Sequence, residues 1–391
     1  MGSRHYRPTW AEISLDALQH NIQQFRQAVP KHVKIMAVIK ADAYGHGAAP
    51  VAKEAVRCGA DYLAVAFLDE ALQLRRSGIR APILILGYTP PEAFAAAVEQ
   101  DIALTIYSEE ALHALRHLPC SGRQAKVHIK IDTGMGRIGI ADEREAAAYI
   151  EQALQIPHVK VEGLYTHYAC ADEKDKSYTL KQYERLERIL NHFRQKGIRF
   201  ACNHSGNSAA AIDLPDYCFD MVRLGISMYG LYPSLEVNRK TIQLKPVMSL
   251  KTRIAWVKTL PPGSVVSYGA AYRTQSDEQI ATLPIGYADG YSRMLSGKAQ
   301  VLFRGKRVPV TGRICMDQTM INVTGMNDVA IGEEVVLFGQ QAGAELPADE
   351  LAQWLGTINY EIVCMVAKRV PRLYMRGGRC VEEVNYLNMI S

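Results

Sequence analysis

Val33-Lys34-Ile35-Met36-Ala37-Val38-Ile39-Lys40 is a nearly unbroken apolar run that ends on a lysine, and Ala41-Asp42-Ala43-Tyr44-Gly45-His46-Gly47 turns the chain behind it. A strand apolar on both faces must be covered on both faces, as in a parallel sheet flanked by helices. The theme returns at 62–66, 83–87, 102–106, 126–131, 159–165, 199–203 and 220–224. Between these runs, 68–76 and 143–154 carry apolar residues at helical spacing, and 177–195 is a long amphipathic stretch. Eight such units close a (β/α)8 TIM-type barrel, so the fold class is α/β. An open doubly wound sheet competes, but it more often uses five or six strands and a glycine-rich fingerprint after the first. No GxGxxG is present.

The texture changes after Tyr232-Pro233. Strand-like runs at 249–260, 265–272 and 279–285 follow one another with turn signals between them, and 301–310 reads as a hairpin. A further strand is expected at 334–338 and one short helix near 348–355. A chain of 391 residues exceeds the roughly 250–300 residues at which a single core stops growing, so two domains are expected. These are a barrel over 1–240 and a mostly β domain over 241–391. Residues 9–15 alternate like a strand before Asp16, a helix-capping type, and could return to pack with the second domain.

Composition is that of an ordinary globular chain, 48% hydrophobic and 22% charged, with a net charge of +5. The basic residues are scattered, with no run or aromatic interleaving of the nucleic-acid-binding kind. Cys58, Cys120, Cys170, Cys202, Cys218, Cys315, Cys364 and Cys380 form no CxxC pair, which suits a reducing compartment. Residues 1–10 contain no apolar signal core, and no run of about 18 apolar residues occurs. A cytoplasmic protein is expected.

Active residues of β/α barrels gather at the C-terminal strand ends. Lys40, Lys130, His167, His204 and Arg223 fall at such ends, and Arg137 follows in the loop Asp132-Thr133-Gly134-Met135-Gly136-Arg137. Strand-end lysines are mostly solvated. Lys40 is distinguished by the glycine turn behind it, where backbone can approach a ligand. The loops after strands seven and eight, where barrels commonly bind phosphate, offer Asn207-Ser208 and Gly225-Ile226. On local sequence Tyr268 reads as a strand tyrosine with its ring buried.

The segments 36–47, 64–71, 130–139, 163–167, 221–231, 266–271, 285–291, 312–318 and 357–361 resemble the signature stretches of bacterial alanine racemases, in order and through almost the whole chain. The resemblance implies a pyridoxal 5'-phosphate enzyme that interconverts L- and D-alanine by two bases and supplies D-alanine for peptidoglycan. It implies that Lys40 holds the cofactor as an aldimine and is the base for D-alanine. Tyr268 is then the base for L-alanine, delivered to the barrel of a partner subunit in a homodimer. Arg223 would face the pyridine nitrogen, and His167 would hold Arg223 and Tyr268. Arg137 would lie near the phenolic oxygen and the substrate carboxylate, oriented by Lys130, which is carbamylated in some members. Tyr44, Ser208, Gly225, Ile226 and Tyr360 match phosphate-binding positions. Met316 matches a backbone donor to the carboxylate, and Tyr287 and Tyr360 match residues narrowing the entrance. Asp42 and Tyr291 depart from the family's usual asparagine and tryptophan. A broad-specificity racemase acting on serine or others is the nearest alternative. A non-enzymatic cofactor carrier is a distant one. A metal hydrolase using Lys130, His167 and His204 is a third, although strand one offers Lys40 where such a site wants an HxH pair.

Overall fold

The computed structural model describes residues 6–119 and 122–388. Cys120 lies outside the described residues. The chain divides into two compact units: Ala17–Ala43 with Ala48–Lys245, and the described part of Met1–Asp16 with Tyr44–Gly47 and the region from Pro246 on.

The first unit is a parallel sheet with helices between its strands. Counting the N-terminal strand Thr9–Ser14 as β1, its strands are β2 (Lys34–Val38), β3 (Tyr62–Val65), β4 (Ile83–Ile85), β5 (Ile102–Ile106), β6 (Ala125–Lys130), β7 (Val159–Tyr165) and β8 (Met221–Leu224). Their order is β7-β6-β5-β4-β3-β2-β8. β8 therefore returns to the first strand of the sheet, with Lys34 beside Met221 and Ala37 beside Leu224.

The stretch 199–203, expected to be a strand, is not one. What remains is a bridge at His204, parallel to Tyr165 and antiparallel to Phe219. The barrel still closes there. Cys202 N donates to Glu162 O at 2.9 Å and His204 N to Leu164 O at 3.1 Å, while Asp220 N reaches Asn203 O at 2.9 Å and Arg223 N reaches Gly206 O at 3.0 Å. Side chains replace the missing ladder bonds: Leu164 N donates to Asn203 Oδ1 and Asn203 N to Asp220 Oδ2. The passage is close enough that a Cβ on Gly163 would overlap the Cys202 carbonyl and lie 3.2 Å from His128 Nδ1. Only glycine leaves this room.

The helices Leu68–Arg76, Glu143–Leu154 and Ser177–Gln195 match their periodic stretches. Asp16 is not a cap. The helix Leu15–Ala28 begins one residue before it, and its carboxylate accepts from Gly377 N at 2.7 Å.

The second unit is mostly β. Its larger sheet has β1 at its centre, antiparallel to β9 (Met248–Arg253) and parallel to a late strand, Arg372–Arg376. The run 249–260 splits into β9 and β10 (Trp256–Leu260), which belong to different sheets. The run 265–272 is also broken. β11 (Val265–Val266) and β12 (Tyr272–Arg273) pair antiparallel around a 3₁₀ turn, Tyr268–Ala270. The hairpin of Gln300–Phe303 and Lys306–Pro309 turns on Arg304 and Gly305, both at positive φ as a two-residue hairpin loop requires. Two helices interrupt rather than one: Ala348–Leu355 is followed by Asn359–Met365, which carries Tyr360.

Candidate active site

Lys40 follows β2 directly. Behind it Ala41, Asp42, Ala43 and Tyr44 all sit at φ between 53° and 56°, one turn of left-handed helix. L-residues there cost roughly 1–2 kcal/mol each, so the turn must be held. Asp tolerates this region better than most residues, which suits Asp42. Ala43 N donates to Ile39 O at 2.8 Å, Ala41 N to Glu70 Oε1 at 2.7 Å, and Ala48 N to Asp42 Oδ1 at 2.8 Å.

The continuation Tyr44–Gly47 is held within the second unit. Arg372, fully buried, donates twice to Gly45 O, at 2.9 and 3.1 Å, and also to the carbonyls of Val366, Ala367 and Val370. Tyr374 Oη donates to His46 O at 2.9 Å. A Cβ on Gly45 would overlap the Val363 carbonyl. Tyr44 packs 6.3 Å from the Tyr360 ring, and burial, then Tyr360 and Cys364, push its phenol up, so it stays neutral. Arg372→Met would strip these carbonyls of their donor. We expect a loss of about 3 kcal/mol or more, read as a lower denaturant midpoint.

The barrel unit brings Lys40, Lys130, Arg137, His167 and Arg223 together. Arg223 is buried at the end of β8. Its guanidinium donates to His204 Nδ1 at 2.7 Å, His167 Nδ1 at 3.0 Å, Thr166 O at 2.9 Å and Ser205 O at 2.8 Å. None of these acceptors is a carboxylate. Burial lowers the guanidinium to about 10, which leaves it charged at neutral pH. Lys130 Nζ donates to Ile131 O at 3.0 Å and lies 5.4 Å from the centre of the Tyr165 ring. Burial, then Arg223, lowers its amine to about 7.

His167 reports the local field. Burial, then Arg223, Arg137, Lys130 and Lys40, hold it well below the usual histidine range, so its ring is neutral. Since Arg223 can only donate, Nδ1 of His167 is the acceptor and Nε2 carries the proton. Asp132 is the nearby carboxylate. It accepts from the N–H groups of Gly134, Met135 and Gly136 and so folds the loop that carries Arg137. The strand ends therefore hold cationic hydrogen-bond donors, a set that suits an anionic ligand, beside the Lys40 amine, a group that can condense with an aldehyde. Beside them Ser208 Oγ accepts from Gly225 N at 2.9 Å. Ile226 opens a short 3₁₀ helix in which Ser227 Oγ is buried without a hydrogen-bond partner, an opening for a polar ligand atom.

Within the second unit, Tyr268 is not a buried strand tyrosine. It stands on the 3₁₀ turn and is 69% exposed. Ser267, Gly269 and Ala270 around it take positive φ. Ser267 Oγ donates to Arg313 O at 2.6 Å and ties the turn down. Tyr287 N donates to Cys315 O at 3.0 Å and Ala288 N to Met316 O at 3.1 Å, which sets Tyr287 beside Met316. Both side chains are exposed.

Of the partners of Arg223, the resemblance named His167, which the structure places at 3.0 Å; His204 entered only as a strand-end histidine and candidate metal ligand, and His128 behind it carried no signal. Both nitrogens of His204 are engaged, by Arg223 and by His128 at 3.1 Å, so it is not available to a metal.

Fold and site together define a β/α-barrel enzyme with a lysine amine among cationic strand ends, followed by a β domain. Residues 13–233 match the family profile of the alanine racemase N-terminal domain, and 247–374 that of the alanine racemase C-terminal domain. The chain belongs to the alanine racemase family. An alanine racemase of Desulfovibrio desulfuricans is 53% identical over 94% of this chain and 98% of its own length. One of Clostridium tetani is 46% identical over 98% of this chain and all of its own. The crystal structure of alanine racemase from Bacillus anthracis with bound L-Ala-P superposes with a TM-score of 0.94 at 44% identity, covering 99% of this chain and 100% of that one. A histidine racemase from Leuconostoc mesenteroides shares 31% identity at a TM-score of 0.88, covering 95% and 99%.

Proposed function

We propose that this chain interconverts L- and D-alanine with pyridoxal 5'-phosphate, using Lys40 and Tyr268 as bases on opposite faces of the substrate. The observation that carries this reading is the cluster of Lys40, Lys130, Arg137 and Arg223 around a neutral His167. Its guanidinium groups, Arg223 above all, fit an anionic cofactor, in a chain whose relatives are named alanine racemases. The cofactor supplies the electron sink that makes the α-proton removable.

Lys40 would hold the cofactor covalently, and its amine would carry the proton on the D face. Arg223 is the partner of the ring nitrogen. A guanidinium charged at neutral pH keeps its own proton, which tempers the sink and limits side reactions. His167, accepting from Arg223 at Nδ1, keeps an Nε2–H for the phenol oxygen of Tyr268. Arg137 binds the substrate carboxylate, joined by the Met316 backbone N–H. Tyr44, Ser208, Gly225, Ile226 and Tyr360 hold the phosphate, and Tyr287 with Tyr360 narrows the entrance.

Functionally, 1–240 provides the amine and the cationic cluster, and 241–391 provides Tyr268 and Met316 to the barrel of a partner subunit. The functional unit is then a homodimer. The exposure of Tyr268, Tyr287 and Met316 on one chain supports this. The free thiols of Cys170, Cys202, Cys218, Cys315 and Cys380 support a cytoplasmic setting, in which the D-alanine produced serves peptidoglycan. Among the described residues no helix is long and apolar enough to cross a membrane.

Racemisation measured over a panel of amino acids with cofactor supplied tests the reading. Alanine should be the preferred substrate, and no conversion of either alanine enantiomer would overturn it. A broader range is the second reading, favoured by the likeness to a histidine racemase. A pocket rejects an added hydroxyl by only about a hundredfold, so measurable turnover of serine would be compatible with either.

Lys130, lowered to about 7, offers a neutral amine to dissolved CO2 at pH 8. The amine nitrogen bonds to the carbon and one N–H proton leaves to solvent. The carbamate so formed gives Arg137 the anionic partner that orients it. Protein in 13C-bicarbonate at pH 8 should show a carbamate resonance that fades as the pH falls below 7 and is lacking in Lys130→Arg.

A further inference from the structure

The Arg223 guanidinium is the near end of a chain of polar groups that runs through the barrel interior. Its Nη1 donates to His204 Nδ1 at 2.7 Å. A guanidinium cannot accept, so His204 Nδ1 is bare and its proton is on Nε2. That Nε2 meets His128 Nδ1 at 3.1 Å. The donor role of His204 leaves His128 Nδ1 as acceptor, so His128 also carries its proton on Nε2. His128 Nε2 lies 3.8 Å from Glu162 Oε2 and makes no hydrogen bond of its own. Glu162 in turn accepts from Tyr62 Oη at 2.7 Å and pairs with Lys160 at 3.0 Å. His128 and His204 are fully buried, and Glu162 is nearly so.

We infer that Glu162 and His128 are positioning residues for Arg223: the carboxylate orients the His128 proton, His128 fixes the tautomer of His204, and His204 is thereby kept as an acceptor for the guanidinium. The assignment rests on the proposed role of Arg223 toward the cofactor ring nitrogen and extends it to the interior of the barrel.

The charges agree with this direction. Burial lowers His128 and holds His204 well below the usual range, so both rings are neutral. Burial raises Glu162, but the polar groups of His128, Tyr62 and Lys160 outweigh it and bring the carboxyl to about 2, so the acceptor is ionised. Were the His204 tautomer reversed, its Nδ1–H would face the N–H groups of Arg223; were that of His128 reversed, its Nδ1–H would face the Nε2–H of His204. The price of either reversal is a buried donor facing a donor.

Glu162→Gln tests the chain. The substituted amide can turn its NH2 group toward His128, which removes the electrostatic reason for the Nε2 proton. In wild-type protein, 15N NMR of the histidines should show the neutral Nε2–H tautomer at both His128 and His204, with or without cofactor. Glu162→Gln should shift or mix the tautomers, move the visible absorption maximum of the cofactor-loaded enzyme, and lower kcat about tenfold with KM little changed, the rate equivalent of one hydrogen bond. Glu162→Asp should restore the tautomers in part. Nδ1–H tautomers in the wild type overturn the inference. So do a Glu162→Gln tautomer pattern and spectrum identical to wild type. The wild-type measurement needs no variant to fold. It also separates the two readings, since a chain with the expected tautomers but no racemase activity would sink the function and leave the positioning chain standing.

Discussion

Lys40→Ala should abolish racemisation, by about 10⁴-fold or more, and remove the visible absorbance of covalently held cofactor. The amine has no stand-in. Arg223 stays charged, Lys130 donates to the Ile131 carbonyl, and His167 takes its hydrogen bond from Arg223. The substitution changes one side chain beside a left-handed turn whose backbone is held by Glu70 and Ile39, so the fold should survive. Absorbance typical of the loaded wild type in the variant would overturn the anchor assignment. Added methylamine, small enough to enter the vacated space, should recover part of the rate.

The second large effect is Tyr268→Phe, and its signature is asymmetry. The two alanine enantiomers have equal free energy, so in any variant kcat/KM for racemisation is the same in both directions. Solvent-deuterium exchange separates the faces. Without the phenol oxygen, removal of the α-proton from L-alanine should fall by about 10²–10⁴-fold, while D-alanine still exchanges its proton through Lys40. Equal loss of exchange from both enantiomers would rule out a two-base scheme. Mixed dimers of Lys40→Ala and Tyr268→Phe chains test the sharing of sites. If Tyr268 serves the partner subunit, the hybrid places both defects in one site and leaves the other intact, and activity returns.

Periodicity made most of the barrel legible. The helix Glu143–Leu154 was readable to the residue because Asp142 caps it, accepting from Arg144 and Glu145 N–H groups, and such caps are local. Leu68–Arg76 was equally plain, since Glu70 reaches back to Ala66 N. The seventh expected strand, 199–203, was not. Asn203 and Asp220 side chains take ladder positions there, and pattern alone does not show when a side chain substitutes for a strand neighbour. Tyr268 was misread because Ser267 and Ala270 take positive φ although neither is glycine, and only the tertiary tie to Arg313 holds them so. In the site, resemblance supplied the residues that would face a cofactor. It did not supply what stands behind them. His128 and His204 lie 76 positions apart, and Arg372 meets Gly45 across 327, contacts that no local pattern announces.

The placing of β1 has a consequence for how the chain is made. Thr9–Ser14 is synthesised well before its neighbours in the sheet, Met248–Arg253 and Arg372–Arg376. At 5–20 residues per second the second of those arrives on the order of tens of seconds later. Through that interval the nascent chain carries a strand with both edges open while the barrel behind it is already able to close. A ribosome stalled after the barrel would expose that strand to other chains, so the vulnerable species in synthesis is the chain that has its barrel but not the rest of the second unit.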